Sequence, residues 1–336
     1  MLRSSCGAVA VVLAALSYTA VVRDRAPTPV AVVNGALNAD GTRIATLQPF
    51  TAASPWNTPL GAQARFEPAS SAATAMVVAP GLSSFVNSAR WSHPLYFASS
   101  SDPLQTVVEQ GERLQYRIPA NAAPAVGDDA HMHVFDPDGR TVHEAWQMHR
   151  TGPGSWEAQY AVSVDLYGDG VSGGGVRAYG GSAIGGLIRI HEVQQGEIPH
   201  ALALALPAAL LRTGPVWPAS SEDQGSAQTY RGQIPIGALL AIPPEVDLGA
   251  LGLGREALAV GHALQDYGAY VVDTGSQFTL FAEPGADETR LDAVRAQLDV
   301  LRTQLRVVTD NTRSTPGGGG EPRRPAAAPL DGGHVR

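Results

Sequence analysis

The sequence predicts a mainly β protein, a jelly-roll-like β-sandwich carrying one internal helix and one C-terminal helix. Three observations lead there. Between residues 90 and 245, short apolar runs recur with Gly, Pro and Asp turn signals between them, the spacing of sandwiches and barrels. Leu202, Leu204 and Leu206 alternate with alanines, which is the period of a strand. Only two stretches carry the 3.6-residue period of a helix.

In chain order, residues 1–25 read as an export segment. Arg3 supplies a positive start, Cys6 to Val22 carry no charge, and Arg23-Asp24-Arg25 close the run. A run of about 17 to 18 apolar residues borders both a signal-peptide core and a short membrane anchor, and either outcome sends the rest of the chain out of the cytoplasm. Residues 26–50, with Pro27 and Pro29, read as a linker, and residues 51–310 as the folded β-sandwich. Residues 311–336, with Gly317 to Gly320 and Pro322 to Pro329, have little to bury and read as a disordered tail.

Within the folded part, Met132 to Phe135 run into Asp136-Pro137-Asp138-Gly139, and Thr141 to Met148 return, a hairpin pattern. Trp156 to Leu166 and Ile234 to Ile242 are further strand candidates. Ala257, Val260, Gly261, Leu264 and Tyr267 lie at helical spacing, with Gly268 as cap and a strand, Ala269 to Val272, directly after. Leu291, Val294, Leu298, Leu301 and Leu305 form the stripe of the C-terminal helix, expected from Asp287 to Val307.

Composition restricts function. The net charge is −8 and every one of the 23 basic residues is Arg, so no basic stripe suits a nucleic-acid partner. Cys6, the single cysteine, lies in the export segment, so neither disulfides nor cysteine-bound zinc hold the working domain. No Gly-x-Ser-x-Gly elbow, phosphate loop, dinucleotide fingerprint or His-Glu-x-x-His is present, and no cofactor is implied.

The candidate chemistry starts at Asp129-Ala130-His131-Met132-His133. On a strand, Met132 and Val134 suit the core, while His131, His133 and Phe135 look the other way, towards a groove or solvent. His-x-His is also half of a metal site, but nothing nearby in sequence fixes a third ligand. Glu144 beside Trp146 pairs an acid with an indole, as sugar sites do. Asp165 and Asp169 flank Tyr167-Gly168 before a glycine-rich loop. Arg189 and Glu192 stand at helical spacing and can pair with each other. His200, on the leucine face of its strand, fits a buried histidine bonded to a carboxylate, and Asp273 closes a hydrophobic strand.

Several segments in order are similar to a family of secreted bacterial proteins: Ser54-Pro55-Trp56-Asn57, Asp129 to Met132, Glu144, Gly186 to Glu192, Gly196 to Leu202, and Tyr267 to Ser276. The resemblance spans residues 54 to 310 and favours Asp129, His131 and Glu144 over His133 and His143, which stand where other residue types are usual. It implies a module of an extracellular polysaccharide-handling protein.

The expectation is therefore a secreted glycoside hydrolase acting on an extracellular or cell-envelope polysaccharide. Glu144 would be its general acid, with Asp129 or Asp165 as second carboxylate and His131 alongside. Substrate contacts are expected from Trp146, Trp156, Tyr167, Arg189, Glu192, His200 and Asp273. Alternatives are a polysaccharide lyase, with His131 as base and Tyr167 or Arg189 steadying a uronate, and a non-catalytic carbohydrate-binding or scaffold protein. The membrane enters only through the N-terminal segment.

Overall fold

A computed structural model describes residues 36–332, so the export segment lies outside the described residues. Strand outweighs helix, as expected. Two four-stranded sheets face each other. One orders Leu95–Phe97, Met132–Phe135, Thr141–Trp146 and Tyr160–Asp165; the other orders Glu112–Arg117, Leu104–Glu109, Ser155–Ala158 and His149–Gly152. Met132, Val134 and Ala145 from the first meet Val107, Tyr116 and Trp156 from the second in one core cluster.

The opposite face of the first sheet contributes Leu95, Phe135, Val142 and Val164 to a second, larger core. That core is built on a six-stranded sheet ordered Ser84–Asn87, Phe278–Phe281, Leu202–Leu206, Ala269–Thr274, Leu239–Ala241 and Arg306–Val307. The first four-stranded sheet is thus a middle layer, buried on both sides.

A two-sheet jelly roll is not the arrangement of the described strands. Jelly rolls pair strands antiparallel throughout, whereas Leu202–Leu206 runs parallel to Ala269–Thr274 and Ser84–Asn87 runs parallel to Phe278–Phe281. The first of these pairs is joined through the helix Arg255–Asp266, a crossover that only parallel strands require. Six α-helices are found among the described residues rather than two. Ala72–Val78, Ile190–Gln195 and Ser226–Thr229 span seven, six and four residues, too short to display a helical period in sequence.

The expected elements fare unevenly. The hairpin forms in the register Met132↔Ala145, His133↔Glu144 and Phe135↔Val142. The helix over 255–266 ends at Gly268, whose φ of 81° needs glycine. Trp156 to Leu166 divides into two strands in different sheets, and Ile234 to Ile242 is interrupted at Gly237, φ 90°. The C-terminal helix breaks at Gln297 into Glu288–Arg295 and Leu298–Arg302. Its apolar stripe nevertheless stays buried from Leu291 to Leu305, and Asp287 caps it by accepting from the Thr289 and Arg290 N–H groups.

Both expected flexible ends need correcting. From residue 36 the presumed linker belongs to the fold: Phe50 is fully buried, and buried Arg43 donates to the carbonyls of Gln48, Phe50 and Ala328. The presumed tail is docked through residue 332. Gly61 and Pro322 form a β-bridge, the Gly61 N–H donates to Gly317, and a side chain at Gly61 would lie 1.7 Å from the Gly319 carbonyl oxygen. Backbone contact between glycines holds this segment, so its poverty in apolar side chains did not leave it loose.

Candidate active site

One cavity of about 1090 Å³ opens between the middle sheet and the six-stranded sheet. Its wall includes Asp129, His131 and Trp146 from the hairpin region, and Asp273 from the six-stranded sheet. Asp273 is aimed by an irregularity: Leu204 pairs with Val271 but Ala205 pairs with Asp273, so Val272 is an extra residue in its strand. Ala205 and Asp273 then both border the cavity. Burial pushes the Asp273 carboxyl up to about 7 despite the Arg177 guanidinium, whose Nη1 lies 3.6 Å from Asp273 Oδ2.

The remaining expected residues are spread more widely. Glu144 is fully buried behind the cavity wall, where it accepts from Ser182 Oγ at 2.5 Å and from the Ala183 N–H at 3.0 Å. Burial shifts its carboxyl upward against those donors. It has no exposed edge with which to protonate a substrate; its work is to pin the loop that carries Arg177. That corrects its expected role as general acid. Asp165 stands on the surface and pairs with Arg140 at 2.7 Å. Trp156 is core, donating from Nε1 to Gln105 at 2.8 Å, and Tyr167 bonds Asp331 through its hydroxyl.

Arg189, Glu192 and His200 form a separate buried network. Arg189 Nε donates to Glu283 at 2.9 Å, its Nη1 donates to the Thr46 and Leu47 carbonyls, and its backbone N–H donates to Glu192. The guanidinium therefore takes Glu283 as partner, not Glu192. His200 Nε2 lies 2.9 Å from Glu192, as the buried-histidine reading expected. Nearby, Asn57 Nδ2 donates to the carbonyls of Pro49, Phe50 and Thr51, and Trp56 meets Tyr179 and Tyr270 edge-on. Gly185 and Gly186 press on the Trp56 ring so closely that a Cβ at either would lie about 2.5 Å from it. These stretches fasten the N-terminal part to the six-stranded sheet and form no part of the cavity.

The cavity also holds residues that sequence reasoning missed. Arg177, from the glycine-rich loop, is 4% exposed; its guanidinium stacks 3.9 Å over Phe281, and its Nε and Nη2 have no partner. Asp223 accepts from Thr274 Oγ1 at 2.6 Å and from the Tyr230 hydroxyl. Phe85, Trp91 and Tyr160 expose aromatic surface along its lining.

His93 is a further omission. The strand Leu95–Phe97 runs parallel to Met132–Phe135 with Leu95 opposite His133, which carries His93 alongside His131. The histidine face was expected to look towards a groove or solvent; His131 borders the cavity, and both it and His133 are buried from solvent beneath the six-stranded sheet. His93 Nδ1 is 2.9 Å from His133 Nε2, and one ring nitrogen from each of the three lies within 4.8 Å of the other two. Burial and the Arg177 charge hold all three imidazoles neutral at ordinary pH, His131 being lowered to about 3. Among the described residues no other His, Cys, Asp or Glu group of three brings donor atoms so close.

No family model, curated protein or solved structure matches the chain.

Proposed function

We propose that the chain is an exported enzyme that cleaves a glycan in this cavity, most simply by hydrolysis. The observation that carries the reading is the convergence of aromatic faces with acids on one concave surface: Trp91, Trp146 and Tyr160 with Asp129, Asp223 and Asp273. Indole and phenol faces suit the apolar faces of pyranose rings, and carboxyl groups supply the proton transfers of glycoside cleavage. Asp273, protonated up to about pH 7, takes the role of general acid towards the leaving oxygen. Asp129 is the second carboxylate, across the cavity on the hairpin side. Glu144 and Arg177 are positioning and binding residues in this scheme.

One observation favours a second reaction on the same site. Arg177 borders the cavity and keeps two buried donors without a protein partner, and Arg90 is the one other arginine on that wall. A guanidinium so placed suits the carboxylate of a uronic acid, the group that a polysaccharide lyase must neutralise before removing the neighbouring proton. The test is a panel of neutral and uronate-containing glycans incubated with the purified protein, scoring reducing ends and unsaturated products separately. New reducing ends that vanish in Asp273→Asn support hydrolysis; unsaturated ends that vanish in Arg177→Gln support elimination. Binding without either product rejects both in favour of a carbohydrate-binding protein. Action outside the cytoplasm rests on residues 1–25 and is tested by locating the mature N-terminus in secreted and membrane fractions.

A further inference from the structure

We propose that His93, His131 and His133 form a site for one first-row divalent metal ion, Zn²⁺ in the first instance, set in the cavity wall with an open coordination position towards the cavity. The donor geometry comes first. Nitrogens bound tetrahedrally at the usual 2.0–2.1 Å from zinc stand about 3.3 Å apart. His93 Nδ1 and His133 Nε2, at 2.9 Å, are a few tenths of an ångström short of that, and the third ring has a nitrogen within 4.8 Å of both. Binding requires that third nitrogen to approach by up to about 1.5 Å.

The second argument is what the cluster lacks as a purely structural core. Three imidazoles are packed together, yet His93 Nε2, His131 Nδ1 and His133 Nδ1 are all buried without a hydrogen-bond partner. Each such orphan costs about 1–3 kcal/mol; an ion on His93 Nδ1 and His133 Nε2 leaves His93 Nε2 and His133 Nδ1 as outer N–H groups, so His131 Nδ1 is the orphan that an ion could itself satisfy. The one contact that the rings do share, between His93 and His133, sets two lone-pair positions around a single proton. A metal ion takes both lone pairs once that proton moves to the outer nitrogen of the same ring, with no change in charge on either imidazole.

One neighbour, Glu144, suits a cation held by nitrogen, and one, the Arg177 guanidinium, opposes it. Glu144 Oε1 lies 3.9 Å from His133 Nδ1, the place where a metal-bound imidazole needs a carboxylate to receive its outer N–H. Its negative charge also offsets part of the ion's. His93 and His131 border the cavity and His133 does not, although His93 is as fully buried as His133, so the fourth position is assigned to the cavity side. Three protein ligands with one open position is the pattern of catalytic rather than structural zinc. Neutral imidazoles without an oxygen ligand among them select a transition metal over Ca²⁺ or Mg²⁺.

The proposal does not depend on the glycan reading, because metal binding is measured with no glycan present. The full purified chain is stripped with chelator and titrated with Zn²⁺ and with Co²⁺, whose ligand-field bands report nitrogen coordination. One ion per chain is expected, with a Co²⁺ spectrum of low coordination number and imidazole donors. His131→Gln and His93→Gln should each weaken binding by more than the ~10–100-fold that loss of an outer carboxylate costs. His149→Gln, an exposed histidine outside the cluster, should bind as the parent does. Binding far below one ion per chain, or equal binding by parent and His131→Gln, overturns the site. Should the buried variants fail to fold, the Co²⁺ spectrum of the parent decides: oxygen-dominated coordination overturns the proposal, and imidazole-dominated coordination sustains it.

Discussion

Replacing Asp273 by Asn isolates the most strongly perturbed acid of the cavity. Its carboxyl moves from an ordinary 3.8 to about 7, so the folded state holds a proton through a range in which the unfolded chain has released it. Stability from this group is complete below the unfolded value and is lost as pH rises through about 7. Three units at 1.36 kcal/mol each give about 4 kcal/mol, the limit for a wholly dry group. A quarter of the side chain is exposed, and water there screens the effect, so about 2 kcal/mol is the expected size. Asn copies the neutral carboxyl in shape and cannot ionise. Urea unfolding of parent and Asp273→Asn at intervals from pH 4 to pH 8 measures the difference, since titrating groups not coupled to Asp273 cancel. The parent should lose about 2 kcal/mol relative to the variant across that range. A flat difference, or one that grows in the parent's favour as pH rises, would falsify the reasoning; the 3.6 Å contact with Arg177 would then outweigh burial, and Asp273 could not serve as proton donor at neutral pH.

Other expectations follow from the same contacts. Glu192 attracts the His200 proton strongly enough to overcome burial and raise His200, while His200 holds Glu192 below its ordinary value. Their mutual stabilisation is full between the unfolded values of 4.5 and 6.5, fading as pH falls through the depressed Glu192 value or rises through the elevated His200 one. His200→Gln should therefore cost about 3–5 kcal/mol near the middle of that window, read by chemical denaturation at several pH values. Gly61→Ala drives a methyl group into the Gly319 carbonyl; limited proteolysis should then clip residues 311–332 faster than in the parent. Trp91→Ala removes a side chain that is 43% exposed; glycan binding should weaken about 10-fold with an unchanged melting temperature, and a lower melting temperature with unchanged binding would make Trp91 a structural residue.

What the sequence made legible was local, and what it concealed was what each local face would meet. Alternation put Met132 and Val134 on one side of their strand and His131 and His133 on the other, and the hairpin register bears that out. It could not say that the histidine side would be roofed by a second sheet, because that sheet is assembled from strands as distant as Ser84–Asn87 and Phe278–Phe281. His93 was invisible for a related reason. It meets His133 from forty residues away through a parallel pairing, and no short motif records such a contact. Arg177 lay in a glycine-rich loop that carried no motif of its own, yet Glu144 ties that loop down through Ser182 and Ala183. The acid chosen from sequence as the proton donor thus builds the site from behind.

Arg177 and the three histidines also constrain one another, and that bears on which reaction the cavity performs. A lone pair given to a metal ion is withdrawn from proton abstraction, so His131 cannot be both ligand and base. With the metal present, a lyase must find its base elsewhere, whereas hydrolysis loses nothing, because Asp273 and Asp129 carry its proton transfers. The cation and the Arg177 guanidinium repel each other across a poorly solvated space, and an anion between them relieves both. A uronate-containing glycan should therefore bind more tightly to the metal-loaded protein than to the stripped one, and by reciprocity should tighten metal binding by the same factor. A neutral glycan should show no such coupling. Calorimetric titrations of both glycans into both forms measure it, and equal affinities in all four would separate Arg177 from substrate recognition and leave it as the counter-charge of Asp273.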